Sequence, residues 1–209
     1  MLARGAPPGV LIAPAVAMAG IAAAVLAFEQ LVLIFYTLPF GLAFLAFLFF
    51  FRDPAREIGR GVVSPADGRV VVAEPSTRRV AIFMGVTNVH VNRAPIAGAV
   101  RRMDHRPGGH AIASSPETAA NERLVWEFET RLGVLRLDQV AGIFARRIVP
   151  YRRVGDKVKK GQRIGLVRFG SRVELALPPG CRLTVAVGDR VRAGTSTIAE
   201  VPDGLGLGP

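Results

Sequence analysis

The sequence predicts a mainly β soluble domain behind an N-terminal pair of apolar α-helices. Three observations carry that expectation. Residues 9 to 51 are almost wholly apolar, with Glu29 and Gln30 the only strongly polar side chains. Beyond Phe51 the apolar runs shorten and fill with Val, Ile and Phe between Gly, Pro and Asp, the pattern of strands joined by tight turns. One segment, Val154-Gly-Asp-Lys-Val-Lys-Lys-Gly161, returns 33 residues later as Val187-Gly-Asp-Arg-Val-Arg-Ala-Gly194.

Gly9 to Phe28 and Leu31 to Phe51 each come close to the roughly 20 helical residues that span a hydrocarbon core. Glu29 and Gln30 then form the turn, and Pro14 and Pro39 are tolerated as kinks in such helices. A secretory signal is excluded, because its apolar region runs to only about 7–15 residues. Arg4 precedes the first segment, and Arg52, Arg56 and Arg60 follow the second. Cations at both outer ends predict a transmembrane hairpin in the cell membrane, with both termini and the following domain facing the cytoplasm. A single tilted span with a second, interfacial helix is the alternative. The expected division is therefore 1–51 as membrane anchor and 52–209 as the β-rich domain.

Charge is concentrated beyond the anchor. Of the 27 Lys and Arg, all but Arg4 follow residue 51, and with 16 acidic residues the net charge is +11. A basic domain beside a membrane segment predicts attraction to anionic phospholipid, at about 1 kcal/mol per well-placed cation; an arginine-rich solvated surface is the plainer reading. No aromatic platform, finger spacing or helix-turn-helix pattern accompanies the charge, so nucleic acid is not an expected partner. Cys181 is the only cysteine, which excludes an intrachain disulfide and a cysteine-ligated metal site. No metal is expected.

Within the β domain, Gly68–Ala73, Arg79–Phe83 and Glu174–Leu177 read as strands, and residues 116–123 are the one candidate helix. Each copy of the repeat offers a Gly-Asp turn, an inward valine and a closing glycine suited to positive φ. Strands at Ile164–Phe169 and Thr197–Val201 follow the two copies. The paired hairpins resemble the halves of a barrel-sandwich hybrid, the fold of lipoyl and biotinyl carriers. A carrier needs a lysine at an exposed hairpin tip, flanked by methionine; here Lys157, Lys159 and Lys160 lie in the Gly-Asp turn. A non-enzymatic, membrane-tethered hybrid-motif adaptor stays open as the second reading, although no heptad run supplies the long helical hairpin such adaptors add.

Three motifs carry chemistry. Phe50-Phe-Arg-Asp-Pro54 at the end of the apolar stretch is followed by Val63-Ser-Pro-Ala-Asp-Gly68; then come Asn88-Val-His-Val-Asn-Arg-Ala-Pro95 and Arg168-Phe-Gly-Ser-Arg-Val-Glu174. Taken singly, Asp67-Gly68 is an ordinary turn pair, His90 an ordinary strand histidine and Ser171 an ordinary strand hydroxyl. In this order behind an apolar anchor, over residues 50 to 201, they resemble the short type of phosphatidylserine decarboxylases and their archaetidylserine relatives. Longer bacterial and mitochondrial relatives carry Leu-Gly-Ser-Thr at the equivalent of Phe169-Gly-Ser-Arg172, and often a histidine at the equivalent of Thr87.

That resemblance implies a mechanism. Decarboxylation leaves electrons on the α-carbon, and no ordinary side chain accepts them; the enzyme borrows pyridoxal phosphate or makes a ketone in place. In this family the equivalent of Ser171 attacks the carbonyl of Gly170 to give an ester, β-elimination cuts it and leaves dehydroalanine, and hydrolysis with loss of ammonia leaves the chain 171–209 beginning with a covalent pyruvoyl group derived from Ser171. The chain 1–170 stays with it as a heterodimer of fragments, with a higher oligomer open. Phosphatidylserine then forms a Schiff base with the ketone and leaves as phosphatidylethanolamine.

Glycine before the serine permits close approach to the scissile carbonyl. A serine hydroxyl needs a base, and His90 suits, its ordinary pKa of about 6.5 leaving it neutral near pH 7. Asp67 corresponds to the family's carboxylate, which orients that imidazole, so Asp67, His90 and Ser171 form the expected catalytic set. His105 and His110, in Asp104-His-Arg-Pro-Gly-Gly-His110, and Arg93 and Arg168 are candidates for the headgroup and its phosphate, which arginine suits by bidentate contact. Asn121-Glu122-Arg123 matches a recurrent family segment.

Overall fold

The computed structural model describes residues 9–25, 30–109, 120–142, 147–168 and 171–201. The chain divides into two compact units, Met1–Asp53 and Pro54–Pro209.

The first unit holds α1 (Gly9–Val25) and α2 (Gln30–Phe50), each with one internal proline, Pro14 and Pro39. The two helices pack against each other. Their outward side chains are apolar: Ile12, Val16, Phe35, Leu42 and Leu45 are all exposed. Among the described residues, no helix is long and apolar enough to cross a membrane. Of the expected spanning hairpin, the described residues show an apolar helical pair.

The second unit is all strand and turn among its described residues. In chain order it contains β1 (Val62–Val63), β2 (Gly68–Glu74), β3 (Arg79–Met84), β4 (Val91–Arg93), β5 (Gly98–Arg106), β6 (Arg123–Thr130) and β7 (Gly133–Ala141). There follow β8 (Ile148–Pro150), β9 (Lys157–Val158), β10 (Arg163–Val167), β11 (Ser171–Ala176), β12 (Arg182–Leu183), β13 (Arg190–Val191) and β14 (Thr197–Glu200). An eight-stranded sheet runs β13-β2-β3-β11-β7-β6-β5-β9; smaller sheets run β1-β14-β12 and β4-β10-β8. Of the candidate helix at 116–123, residues 116–119 lie outside the described residues, and Arg123 opens a strand instead. Its Leu-Val-Trp-Glu-Phe continuation has the β-branched and aromatic content that a pleated, half-buried surface selects.

Alternation builds the core. Val80, Ile82 and Met84 of β3, Leu135, Leu137 and Ala141 of β7, and Leu124, Trp126 and Phe128 of β6 are all buried. Alternate residues of a strand share one face, so these stripes make the inner face of the large sheet. Trp126 and Phe128 stack with ring centroids 5.8 Å apart. Each such fully buried large side chain contributes on the order of 1.5–3 kcal/mol.

The repeat found in the sequence is half of a larger one. Gly155 and Gly188 donate to Val100 O and Val70 O, while Val100 N and Val70 N donate to Asp156 O and Asp189 O. Asp156 and Asp189 each bond a backbone N–H three residues upstream, at Arg153 and Ala186. The closing glycines Gly161 and Gly194 sit at φ +73 and +76 and donate to Ala94 O and Ser64 O. The partner segments are therefore also equivalent: Ser64-Pro-Ala-Asp-Gly-Arg-Val70 matches Ala94-Pro-Ile-Ala-Gly-Ala-Val100. They cross-bond reciprocally, Val63 N to Pro95 O and Arg93 N to Pro65 O. The Xaa-Pro-Xaa-Xaa-Gly-Xaa-Val spacing was the available sequence signal for this second repeat.

Gly68 shows how tightly the junction is made. Its φ is +156, and a Cβ there would lie 2.1 Å from Phe83 O. Backbone oxygen cannot retreat as a flexible side chain can. Gly68→Ala is expected to cost more than about 1 kcal/mol, lowering the melting temperature by at least about 3 °C, which thermal unfolding of the solubilised chain checks.

Candidate active site

Ser171 is the first residue of β11, the strand held in the middle of the large sheet between β3 and β7. Its cross-strand partners are Met84 and Ala141. It occupies the next place in the inward series Ser171, Val173, Leu175, and it is 0% exposed. A hydroxyl therefore stands where the pattern calls for an apolar group. Its Oγ is buried without a hydrogen-bond partner among the described residues, a costly arrangement that calls for a reason.

His90 is buried too. It directly precedes β4, and its carbonyl accepts from Val167 N at 3.2 Å, at the end of β10. From Val167 the chain leaves that small sheet and re-enters the large one at Ser171, so the backbone partner of His90 lies four residues before Ser171. The imidazole Nδ1 lies 2.9 Å from Asn88 O. A carbonyl only accepts, so in the neutral ring Nδ1 carries the hydrogen and Nε2 is left with the basic lone pair.

Asp67 takes a different place from the one expected. Its Oδ2 bonds Arg56 at 2.8 Å and its Oδ1 accepts from Ala193 N at 2.7 Å. The carboxylate holds the junction of β2 and β13, and the Asn88 carbonyl meets the Nδ1 side of the His90 ring. Gly170 and His110 lie outside the described residues.

The headgroup candidates separate. Arg93 is buried, and its guanidinium donates to Gly161 O at 3.1 Å and Pro54 O at 3.0 Å; it ties the junction together. His105 pairs with Glu122 through Nε2 at 2.8 Å. It stands on β5, three strands from β11, where Glu122 holds its ring. Arg168 is the last described residue before β11, beside Arg147; burial, and then the neighbouring guanidinium, depress its pKa below the ordinary arginine value.

Sequence reasoning missed a buried polar chain on the inner face. Trp126 Nε1 donates to Gln139 Oε1 at 2.8 Å, Gln139 Nε2 to Asn92 Oδ1 at 2.7 Å, and Asn92 Nδ2 to Met84 Sδ at 3.5 Å. The chain ends on the residue opposite Ser171 and fixes which way each amide points. Asn92, in Asn88-Val-His-Val-Asn92, had a signal, since it shares a strand face with His90; Gln139 had none beyond a polar residue in an apolar run. Gln139→Leu leaves Trp126 Nε1 and Asn92 Oδ1 without these partners. The expected loss is about 1–3 kcal/mol per orphaned group, read as a lowered unfolding midpoint.

Comparison with known proteins follows the same line. The family model described as phosphatidylserine decarboxylase matches residues 43–199. A Streptomyces coelicolor protein named phosphatidylserine decarboxylase proenzyme is 54% identical over 155 residues, covering 72% of this chain and 71% of its own. A Thermobifida fusca protein of the same name is 50% identical over 153 residues, covering 71% and 70%. A Methanosarcina acetivorans protein, provisionally named archaetidylserine decarboxylase proenzyme, is 40% identical over 205 residues, covering 96% and 97%. These matches define an enzyme class, the decarboxylases of phospholipid metabolism that are made as proenzymes. The chain belongs to the phosphatidylserine decarboxylase family, and the non-enzymatic adaptor reading is set aside.

Proposed function

We propose that this protein decarboxylates phosphatidylserine to phosphatidylethanolamine through a pyruvoyl group that it makes from its own Ser171. The observation that carries the reading is the Ser171 hydroxyl, buried at the head of a central strand and without a partner among the described residues. His90 Nε2 takes the Oγ proton as oxygen attacks the Gly170 carbonyl carbon. The proton passes to nitrogen as the peptide C–N bond breaks to give an ester; loss of the Ser171 α-proton then expels the 1–170 carboxylate and leaves dehydroalanine, which takes up water and releases ammonia to leave the ketone.

The site fits the group that results. Position 171 is enclosed by Met84 and Ala141, both fully buried, and the β3 and β7 ladders on either side support a reading in which the two fragments stay together. When present there, the pyruvoyl ketone supplies the electron sink for loss of carbon dioxide. The apolar walls disfavour a charged carboxylate and exclude water. His90 Nε2 holds the proton that returns to the substrate α-carbon.

The apolar helices α1 and α2 anchor the chain in the cell membrane, with the β domain on the cytoplasmic side. Support comes from their exposed apolar side chains, which water would leave uncovered, and from Arg52, Arg56 and Arg60 just beyond them. The basic domain adds attraction to anionic phospholipid. The short edge strands β9 and β13 leave a higher oligomer open.

Intact mass under denaturing conditions, with carbon dioxide release from carboxyl-labelled phosphatidylserine, tests the reading. It expects fragments 1–170 and 171–209, the second with a blocked terminus. An active protein that is one continuous chain overturns it. Parallel assay of archaetidylserine decides between diacyl and ether substrates.

A further inference from the structure

A pocket of about 680 Å³ adjoins the reacting corner, with Asp67, Arg69, Asn88, Arg190 and Arg192 on its wall. Arg69 and Arg190 are direct cross-strand partners on β2 and β13, so both side chains leave the same face of the sheet. None of the three guanidinium groups pairs with a carboxylate among the described residues. Some arginines elsewhere on the domain do pair, Arg123 and Arg136 with Asp138, Arg79 and Arg172 with Glu174, whereas others such as Arg101 and Arg131 stand singly among the described residues; what sets these three apart is that they line one pocket. The one carboxylate in the pocket, Asp67, is already tied to Arg56 and Ala193 N. Three like charges gathered without a counter-charge repel one another, and a bound anion relieves them.

The internal repeat removes the structural explanation. The other copy builds the same junction in the same register, Gly98 against Val158 and Ala99 against Lys157. There Ala97 and Ala99 stand in the places of Asp67 and Arg69. This hairpin folds without a guanidinium at that position, so Arg69 is there for something else.

We infer that the pocket receives the phosphate of the phospholipid substrate, with Arg69, Arg190 and Arg192 as its ligands. The inference rests on the decarboxylase reading and adds the headgroup subsite to it. Only the Cα–Cβ, Cβ–O and O–P bonds separate the reacting carbon of a phosphoserine headgroup from its phosphorus, so a phosphate site must adjoin the reacting corner. This one does. Gly85 follows Met84, the cross-strand partner of Ser171, and Asn88, whose carbonyl meets His90, lines the same pocket. The pocket faces away from the inner side of β3, and its rim turns the end of that strand at Gly85. A Cβ there would meet only Asn88 Oδ1 at 3.5 Å and a Phe83 ring carbon at 3.9 Å, so the turn at Gly85 is not crowded. Arginine's fork matches phosphate oxygens in pairs.

The test uses the full chain carrying Arg69→Ala and Arg190→Ala together. Fragments 1–170 and 171–209 should still form, since neither residue handles the cut. Phosphatidylserine dispersed in neutral detergent micelles is compared with O-decylserine, which keeps the amine and carboxylate but has no phosphate. The expected result is at least a tenfold fall in the ratio of kcat/KM for the phospholipid to that for O-decylserine, carried by KM and partly restored by lysine at both positions. An unchanged ratio overturns the inference. So does a loss confined to vesicles containing phosphatidylglycerol, which assigns the arginines to the membrane surface. Calorimetric binding of glycerophosphoserine to the uncut Ser171→Ala chain reads the pocket without turnover. Binding there that does not weaken when Arg69 and Arg190 are removed, or no binding at all, also overturns it. If the unmutated protein neither cuts itself nor decarboxylates, the functional reading fails instead, while the binding arm still judges the pocket.

Discussion

Ser171→Ala is expected to give one uncut chain with no decarboxylase activity and a fold at least as stable as that of the uncut parent. The substitution removes one oxygen from a fully buried site. That oxygen has no hydrogen-bond partner among the described residues, so losing it breaks no bond and relieves a desolvation cost of about 1–3 kcal/mol. Most buried substitutions destabilise; this one should not. The strand register is untouched, because alanine continues the inward series with Val173 and Leu175. Denaturing intact mass, thermal unfolding and carbon dioxide release measure the three parts. Detectable decarboxylation by the uncut variant refutes the mechanism, and a large drop in stability refutes the claim that the hydroxyl is kept against the interest of the fold.

His90→Gln should slow self-cleavage by roughly 10²–10⁴, the usual contribution of a positioned general base. Glutamine keeps the size and polarity needed in a fully buried position, but its amide does not take a proton near neutral pH. The backbone bond from Val167 N to His90 O survives the change. Pulse labelling of newly made chain, followed on denaturing gels, gives the rate at which 171–209 appears. Cleavage at the parent rate would remove His90 from the role of base. A loss of folding, read by thermal unfolding, would separate a packing defect from a chemical one.

The mainly β class was legible because a strand's period of two and its turn residues are local properties. The repeat at 154–161 and 187–194 was legible for the same reason, each copy needing its own Gly-Asp turn and positive-φ glycine. Its companion, 64–70 against 94–100, was harder to see. It is held by long-range bonds such as Val63 N to Pro95 O, and only Pro, Gly and Val recur in it. The candidate helix failed at Arg123 because sheet pairing with β5 and β7 outweighs the weak local preference of a short segment. The apolar stretch was legible as helix by composition.

The site divides the same way. Ser171 and His90 could be named from motif order, and both are buried. Asp67 could be named, but its bonding could not: its partners, Arg56 and the amide of Ala193, come from distant parts of the chain. Arg93 looked like a phosphate ligand beside His90, yet it is buried against carbonyls. Arg69 and Arg190 look like surface charge in one dimension and become neighbours only when β2 pairs β13.

By itself, then, the sequence determined the kinds of element, the family, and the serine and histidine available for chemistry, because these are set by local period, turn geometry and residue type. Tertiary structure alone decided that the Ser171 hydroxyl lies buried in the middle of a sheet, that the Asn88 carbonyl meets His90, and that three arginines converge. Such facts depend on strand register, and a shift of one residue would turn every one of those side chains to the opposite face.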